Sequence, residues 1–252
     1  MRLDAFLYKQ GLFVSRTKAQ EAISLGKVLY NGKPCKTSLN VDSLEGITIV
    51  EGETFVSNGG YKLAKALNDF NFSVNGLTFA DVGASNGGFT HCLLKNGAKK
   101  VYAIDVSESQ LDETLKLDDR VVIKDNVNAR FLTNETLGEL VDGVTCDVSF
   151  ISLTYVLNGI NAVLKDGGVA LLLIKPQFEC GKEYLGNSGI VKSLNARKSA
   201  VKKVYNACLQ NGLYPVNFTT APIKEKKNVE YVIMVIKNYK NGLVAYNDLH
   251  ID

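Results

Sequence analysis

The chain has 252 residues, 46% of them hydrophobic, enough to bury a real core as one large domain or as a small one joined to a medium one. Apolar runs such as Val169–Ile174 reach about a third of a membrane span, and Arg2, Asp4 and Lys9 sit where a signal peptide needs an apolar block, so a cytoplasmic protein without a membrane partner is expected. The five cysteines form no CxxC pair, which argues against a disulfide framework and a zinc site, and the near-balanced charge of +3 hides a basic front: Arg2, Lys9, Arg16, Lys18, Lys27, Lys33 and Lys36 against only Asp4 and Glu21.

In chain order, Leu3, Phe6 and Leu7 recur at helical spacing and Gly11 supplies a left-handed cap, which predicts a short helix over Arg2–Gln10. Ser15 is an N-cap for a second helix burying Ala19, Ala22, Ile23 and Leu25 and ending at Gly26. Val28–Tyr30 and the Asn31-Gly32 turn then read as a hairpin. The surplus positive charge on this front implies a polyanionic partner, against the alternative of a merely solvated face. The pieces Arg2-Leu3-Asp4, Ser15-Arg16-Thr17-Lys18-Ala19 and Gly26-Lys27-Val28 with Asn31-Gly32-Lys33 resemble the small RNA-binding domain (the S4 domain) shared by a ribosomal small-subunit protein, pseudouridine synthases and tyrosyl-tRNA synthetases. That resemblance assigns Arg2, Arg16, Lys18, Lys27 and Lys33 to RNA phosphates, contacts that position a nucleic acid without reading its sequence.

Turn formers including Gly46, Gly52 and Ser57-Asn58-Gly59-Gly60 put the domain boundary near residues 47–58, so the expected layout is an RNA-binding domain over 1–50, a linker over 51–60, a second domain over 61–240 and a loosely ordered tail from 241 to 252. From residue 77, strand-like runs alternate with helical patterns: Leu77–Val82, Lys100–Asp105, Arg120–Lys124, Gly143–Val148 and Val169–Ile174. This order specifies an α/β fold, a doubly wound and mostly parallel Rossmann-like sheet. Two last strands, near Tyr214–Thr220 and Val229–Ile236, lack an intervening helix and should pair antiparallel at its edge, completing seven.

Asp81-Val82-Gly83-Ala84-Ser85-Asn86-Gly87-Gly88-Phe89-Thr90 follows the first of these strands and opens a helix, the crevice where doubly wound folds bind ligands. Asp105 ends the next strand, where a carboxylate can accept both hydrogen bonds of a ribose diol. The glycine spacing is GxxxGG rather than the GxGxxG of a nicotinamide site, and no Gly-Lys-Ser/Thr grips a phosphate. A ligand without pyrophosphate, S-adenosyl-L-methionine (S-adenosylmethionine), fits best, with Gly83, Ala84, Ser85, Gly87, Gly88, Phe89 and Asp105 as its cradle.

The methyl acceptor follows from what is missing. After the fourth strand the chain reads Asp147-Val148-Ser149-Phe150, without the Pro-Pro-aromatic sequence typical of amine methylation. Carbon methylation needs a thiolate, yet Pro34-Cys35 is far away and Cys146 points opposite to Asp147 on its strand. His91 lies within a helix and His250 in the tail, so no histidine base is available. Lys62, Asp147, Lys175 and Glu230 remain at the strand ends; each alone is most often a solvated surface residue, but together they suit a hydroxyl acceptor, a poor nucleophile for which a lysine can act as base once desolvation and a second cation depress its pKa.

These four residues resemble the Lys-Asp-Lys-Glu tetrad of FtsJ/RrmJ-like ribose 2′-O-methyltransferases, and joined to the front domain the chain resembles the TlyA family, whose members carry both haemolysin names and names as 16S/23S rRNA cytidine methyltransferases. The matching stretches are Gly59-Gly60-Tyr61-Lys62-Leu63, Asp81 to Thr90, Asn128-Ala129-Arg130, Asp147 to Leu153, Lys175-Pro176-Gln177-Phe178-Glu179 and Asn228-Val229-Glu230-Tyr231. Asn58 departs from a usual arginine, and Glu225-Lys226-Lys227 from a Gly/Pro-containing loop. The resemblance implies an S-adenosylmethionine-dependent enzyme acting on rRNA or ribosomal subunits without a metal, Lys175 as base supported by Lys62 and Glu230, Asp147 bridging cofactor and catalytic lysine, and Asp125 and Asn128 on the cofactor. A noncatalytic RNA-binding assembly factor and a haemolysin are the competing readings, and the sequence sets no oligomeric state.

Overall fold

In the computed structural model, which describes residues 1–24, 27–49, 55–108, 110–186, 188–222 and 227–251, the chain divides into two compact units, Met1–Thr54 and Phe55–Asp252. Leu25, Gly26, Gly52 and the pair Glu225-Lys226 lie outside the described residues.

In the first unit, α1 (Leu3–Lys9) ends at Gly11 with φ +72°, the left-handed conformation a side chain resists. The Ser15 hydroxyl accepts from the Lys18 N–H at 3.1 Å and caps α2 (Arg16–Ser24), satisfying a donor that the helix start leaves unpaired. Strands β1 (Val28–Tyr30) and β2 (Lys33–Pro34) are joined by Asn31 and Gly32, both at positive φ as a two-residue hairpin requires, and β3 (Ile47–Ile49) pairs on the other side of β1. Leu3, Phe6, Leu7, Ala19, Ile23, Val28 and Val41 form the core.

The second unit starts earlier than expected. Phe55 is buried and α3 runs over Asn58–Asp69, so the Gly-Gly pair assigned to a linker lies in a helix. The reason is contact: a Cβ on Gly60 would stand 2.9 Å from the Gly88 carbonyl oxygen and 2.3 Å from Phe55 Cγ. Beyond it come β4 (Thr78–Val82), α4 (Gly88–Lys95), β5 (Lys100–Ile104), α5 (Glu113–Lys116), β6 (Val121–Lys124), α6 (Asn134–Leu137), β7 (Val141–Cys146), α7 (Leu157–Val163), β8 (Leu164–Ile174), α8 (Pro176–Glu179), α9 (Leu194–Gln210), β9 (Leu213–Thr220) and β10 (Tyr231–Lys237). The sheet order is β6-β5-β4-β7-β8-β10-β9, parallel from β6 to β8, with β10 antiparallel to both neighbours.

Side chains alternate across the pleat, and this divides the core. Ala80, Val82, Val144, Cys146, Leu172 and Ile233 meet α7 and α9 on one face. Phe79, Val101, Ala103, Leu171 and Val232 meet α3 and α4 on the other. The C-terminal residues are not loose: Ile251 is buried, the Tyr246 hydroxyl donates to the Lys198 carbonyl at 2.9 Å and the Tyr205 hydroxyl to the Val244 carbonyl at 2.9 Å. Three apolar-bodied residues, Tyr246, Leu249 and Ile251, are enough to seat an otherwise polar segment on the core beside α9.

Candidate active site

The crevice opens beyond the carboxyl ends of β4, β5, β7 and β8, where the loop after β4, Asp105, Asp147 and Lys175 all emerge. Glu230 arrives from the opposite chain direction. Because β10 is antiparallel to β8 with Tyr231 opposite Ile174, the residue before β10 comes level with the residue after β8. Lys62 enters one turn into α3, carried there by the Gly60–Gly88 approach.

The four side chains converge. Lys175 Nζ is 2.5 Å from Asp147 Oδ1 and donates to Ser149 Oγ at 2.7 Å. Lys62 Nζ is 2.6 Å from Glu230 Oε2 and 3.7 Å from Asp147 Oδ2. All are largely shielded, Lys175 most, with 9% of its side chain exposed. Burial works against the Lys62 ammonium, but Asp147 and Glu230 overrule it and hold its pKa above the ordinary lysine value. Lys62 is therefore a fixed cation.

A cavity of about 150 Å³ is lined by Gly83, Ala84, Ser85, Gly88, Phe89, Asp147, Ser149 and Lys175, with Ser57 and Gly59. A second, of about 740 Å³, shares Gly83, Ser85, Asp147 and Ser149 with it and runs past Asp105 to Val127 and Asn128. Gly83, at φ +81°, has no room for a side chain, since a Cβ would lie 2.8 Å from the Asp147 carbonyl oxygen. Asp105 accepts from the Ser85 N–H at 2.9 Å and the Ser107 hydroxyl at 2.9 Å, tying the loop to the end of β5. Two predicted cofactor residues do not line either cavity. Gly87, at φ +86°, turns toward Leu111 and Leu115. Asp125 is followed by Asn126 at φ +57°, and that turn sends Val127 and Asn128 into the crevice instead.

Below the loop, Asp81 is fully buried and accepts from the hydroxyls of Thr90 at 2.7 Å and Thr145 at 2.9 Å. Burial raises its pKa to about 6, against the lowering effect of the two threonines. Cys146 packs in the core, and burial pushes its thiol far from the thiolate range. The His91 ring accepts from the Val56 N–H at 3.1 Å. Among the described residues, no group of three or more His, Cys, Asp or Glu could hold a metal ion and no helix is long and apolar enough to cross a membrane.

Sequence reasoning passed over Ser149 and Ser57. Ser149 lies inside a stretch already singled out, but only coordinates place its hydroxyl on Lys175.

In the first unit, Asp4 is fully buried and accepts from Arg2 at 3.1 Å, Arg16 at 2.9 Å and Gln20 at 2.5 Å. Burial alone would raise this carboxyl, but the bonds from Arg2, Gln20 and Arg16 hold it well below the carboxylate range. Arg2 and Arg16 are thus anchored from within while about half of each side chain stays exposed. Lys33 stands exposed beside the hairpin turn, and Lys18 and Lys27 are half-buried.

A parallel sheet with an antiparallel seventh strand and a glycine loop after its first strand defines a methyltransferase-type fold, and the comparisons carry this further. Residues 55–238 match the FtsJ-like methyltransferase family and residues 1–45 the S4 domain. The chain is 38% identical over 235 residues to Hemolysin A of Brachyspira hyodysenteriae, covering 92% of this chain and 98% of that protein. It is 39% identical over 248 residues to the 16S/23S rRNA (cytidine-2′-O)-methyltransferase TlyA of Mycobacterium tuberculosis, covering 97% and 92%. A solved structure described as a hemolysin of Streptococcus thermophilus superposes with TM-score 0.72 at 37% identity, covering 94% of this chain and 88% of that one. The chain belongs to the FtsJ-like methyltransferase family, in its TlyA branch with an S4 domain in front.

Proposed function

We propose that this chain is an rRNA methyltransferase that moves a methyl group from S-adenosylmethionine to a ribose 2′-hydroxyl, on cytidine as in its named relatives. The observation that carries the reading is the convergence of Lys62, Asp147, Lys175 and Glu230 beside the loop of Gly83 to Gly88.

The residues present fit the cofactor. Bare backbone at Gly83 and Gly88 allows close approach, and the 740 Å³ cavity joins apolar walls of Val82, Ile104 and Val127 to the Asp105 carboxylate, as a nucleoside needs. When bound, S-adenosylmethionine supplies an electrophilic methyl group on a sulfonium. Asp105 would take the ribose hydroxyls and Asn128 would bound the far end of the cavity, while Asp147 orients Lys175. The Lys175 amine would take the proton of the acceptor hydroxyl, the methyl donor leaving as S-adenosylhomocysteine with the electron pair of the broken carbon–sulfur bond, while Lys62 stays protonated between Asp147 and Glu230. Arg2, Arg16, Lys18, Lys27 and Lys33 supply phosphate contacts from the first unit.

The test is to incubate the protein with methyl-labelled S-adenosylmethionine and each purified ribosomal subunit and to map the label. A methylated cytidine ribose is expected; no incorporation into either subunit overturns the reading. Lys175→Ala should lower turnover about 10²- to 10⁴-fold, the usual worth of a general base, while S-adenosylhomocysteine still raises the melting temperature.

A further inference from the structure

A third cavity, of about 290 Å³, shares Arg130, Phe150 and Ile151 with the second and holds none of the tetrad. Arg130, Ser152, Tyr155, Phe178, Glu179 and Lys203 are among its walls. Tyr155 is 61% exposed, and the Arg130 guanidinium carbon is 4.9 Å from its ring centroid. Glu179 is buried and saturated: it accepts from the Ser152 hydroxyl at 2.5 Å, the Leu153 N–H at 2.7 Å and Lys203 Nζ at 3.2 Å. Lys203 is thereby fixed at the rim, yet 46% of its side chain faces solvent. An exposed aromatic ring with an arginine beside it, in one cavity with an anchored lysine, is the chemistry that holds an unstacked base and its phosphate.

Phe150, at φ +62°, and Phe178 stand with ring centroids 5.3 Å apart, and Lys175 Nζ is 5.9 Å from the Phe178 centroid. Both rings line the third cavity together with Tyr155, and Phe178 is the one that also approaches Lys175. We propose that the third cavity receives the nucleotide adjacent to the methylated ribose along the RNA strand, its base against Tyr155 and its phosphate between Arg130 and Lys203. The inference rests on the reading of the chain as an RNA methyltransferase.

Steady-state kinetics of the full chain on the ribosomal subunit it methylates test this. Loss of one stacked base should raise KM for that subunit about tenfold in Tyr155→Ala while kcat stays within about threefold, and Tyr155→Trp should restore KM. S-adenosylhomocysteine should stabilise both variants as it does the parent, which separates a lost RNA contact from misfolding. Ultraviolet crosslinking should join Tyr155 to a base next to the methylated nucleotide. An unchanged KM in Tyr155→Ala, or a crosslink to the methylated nucleotide itself, overturns the proposal; an absence of methyl transfer by the parent chain overturns the underlying reading instead.

Discussion

Asp81 is a fully buried carboxyl, sustained by two threonine hydroxyls and set under the loop that follows β4. With a folded pKa of about 6, raised above the ordinary value of 3.8, it stabilises the fold fully below pH 3.8 and loses that contribution as pH rises to about 6. Asp81→Asn removes this titration. Thermal melts should show the variant gaining on the parent between pH 4 and 6, by on the order of 2 to 3 kcal/mol, with no further gain above that window; a pH-independent difference would contradict the argument. Asp81 was legible as the start of a glycine loop, but the two threonines that satisfy it are 9 and 64 residues away, and no local pattern announces the second. Lys62 teaches the same lesson. Its residue type marked it as a second cation, whereas its protonation is decided by carboxylates from two other strand ends.

The elements most faithfully read from the chain were the strands, because unbroken apolar runs such as Val169–Ile174 have few alternatives when helices cover both faces. Gly59-Gly60 was misread as a linker because glycine signals a turn when only neighbours along the chain are considered. In the fold it signals proximity: the first turns of α3 and α4 touch backbone to backbone, with the bare Cα of Gly59 3.1 Å from where a Gly88 Cβ would stand. Gly60→Ala should cost about 1 to 3 kcal/mol of overpacking, seen as a melting temperature lower by a few to about 10 °C. It should also weaken stabilisation by S-adenosylhomocysteine, because α4 begins at the loop that lines the small cavity; unaltered cofactor stabilisation would separate the helix contact from the site.

The molecule joins two units that each carry their own core. The first concentrates positive charge, and the second holds the crevice. Removing Met1–Thr54 should weaken binding to ribosomal RNA and flatten its salt dependence while leaving S-adenosylhomocysteine stabilisation intact, measured by filter binding across salt and by thermal shift. A truncated chain that binds RNA as tightly as the full one would show that the phosphate contacts lie elsewhere.

Composition, apolar periodicity and turn residues were sufficient for the class of fold and the seven strands of the larger sheet, since each depends on residues close together in the chain, whereas β3 of the smaller sheet fell in a stretch read as the domain boundary. The order of strands, the meeting of Lys62 with Glu230 across 168 positions and the seating of the last residues beside α9 depend on long-range packing. Those were decided only when the sheet closed its register, because a side chain's partners are set by which strand lies beside it and in which direction that strand runs.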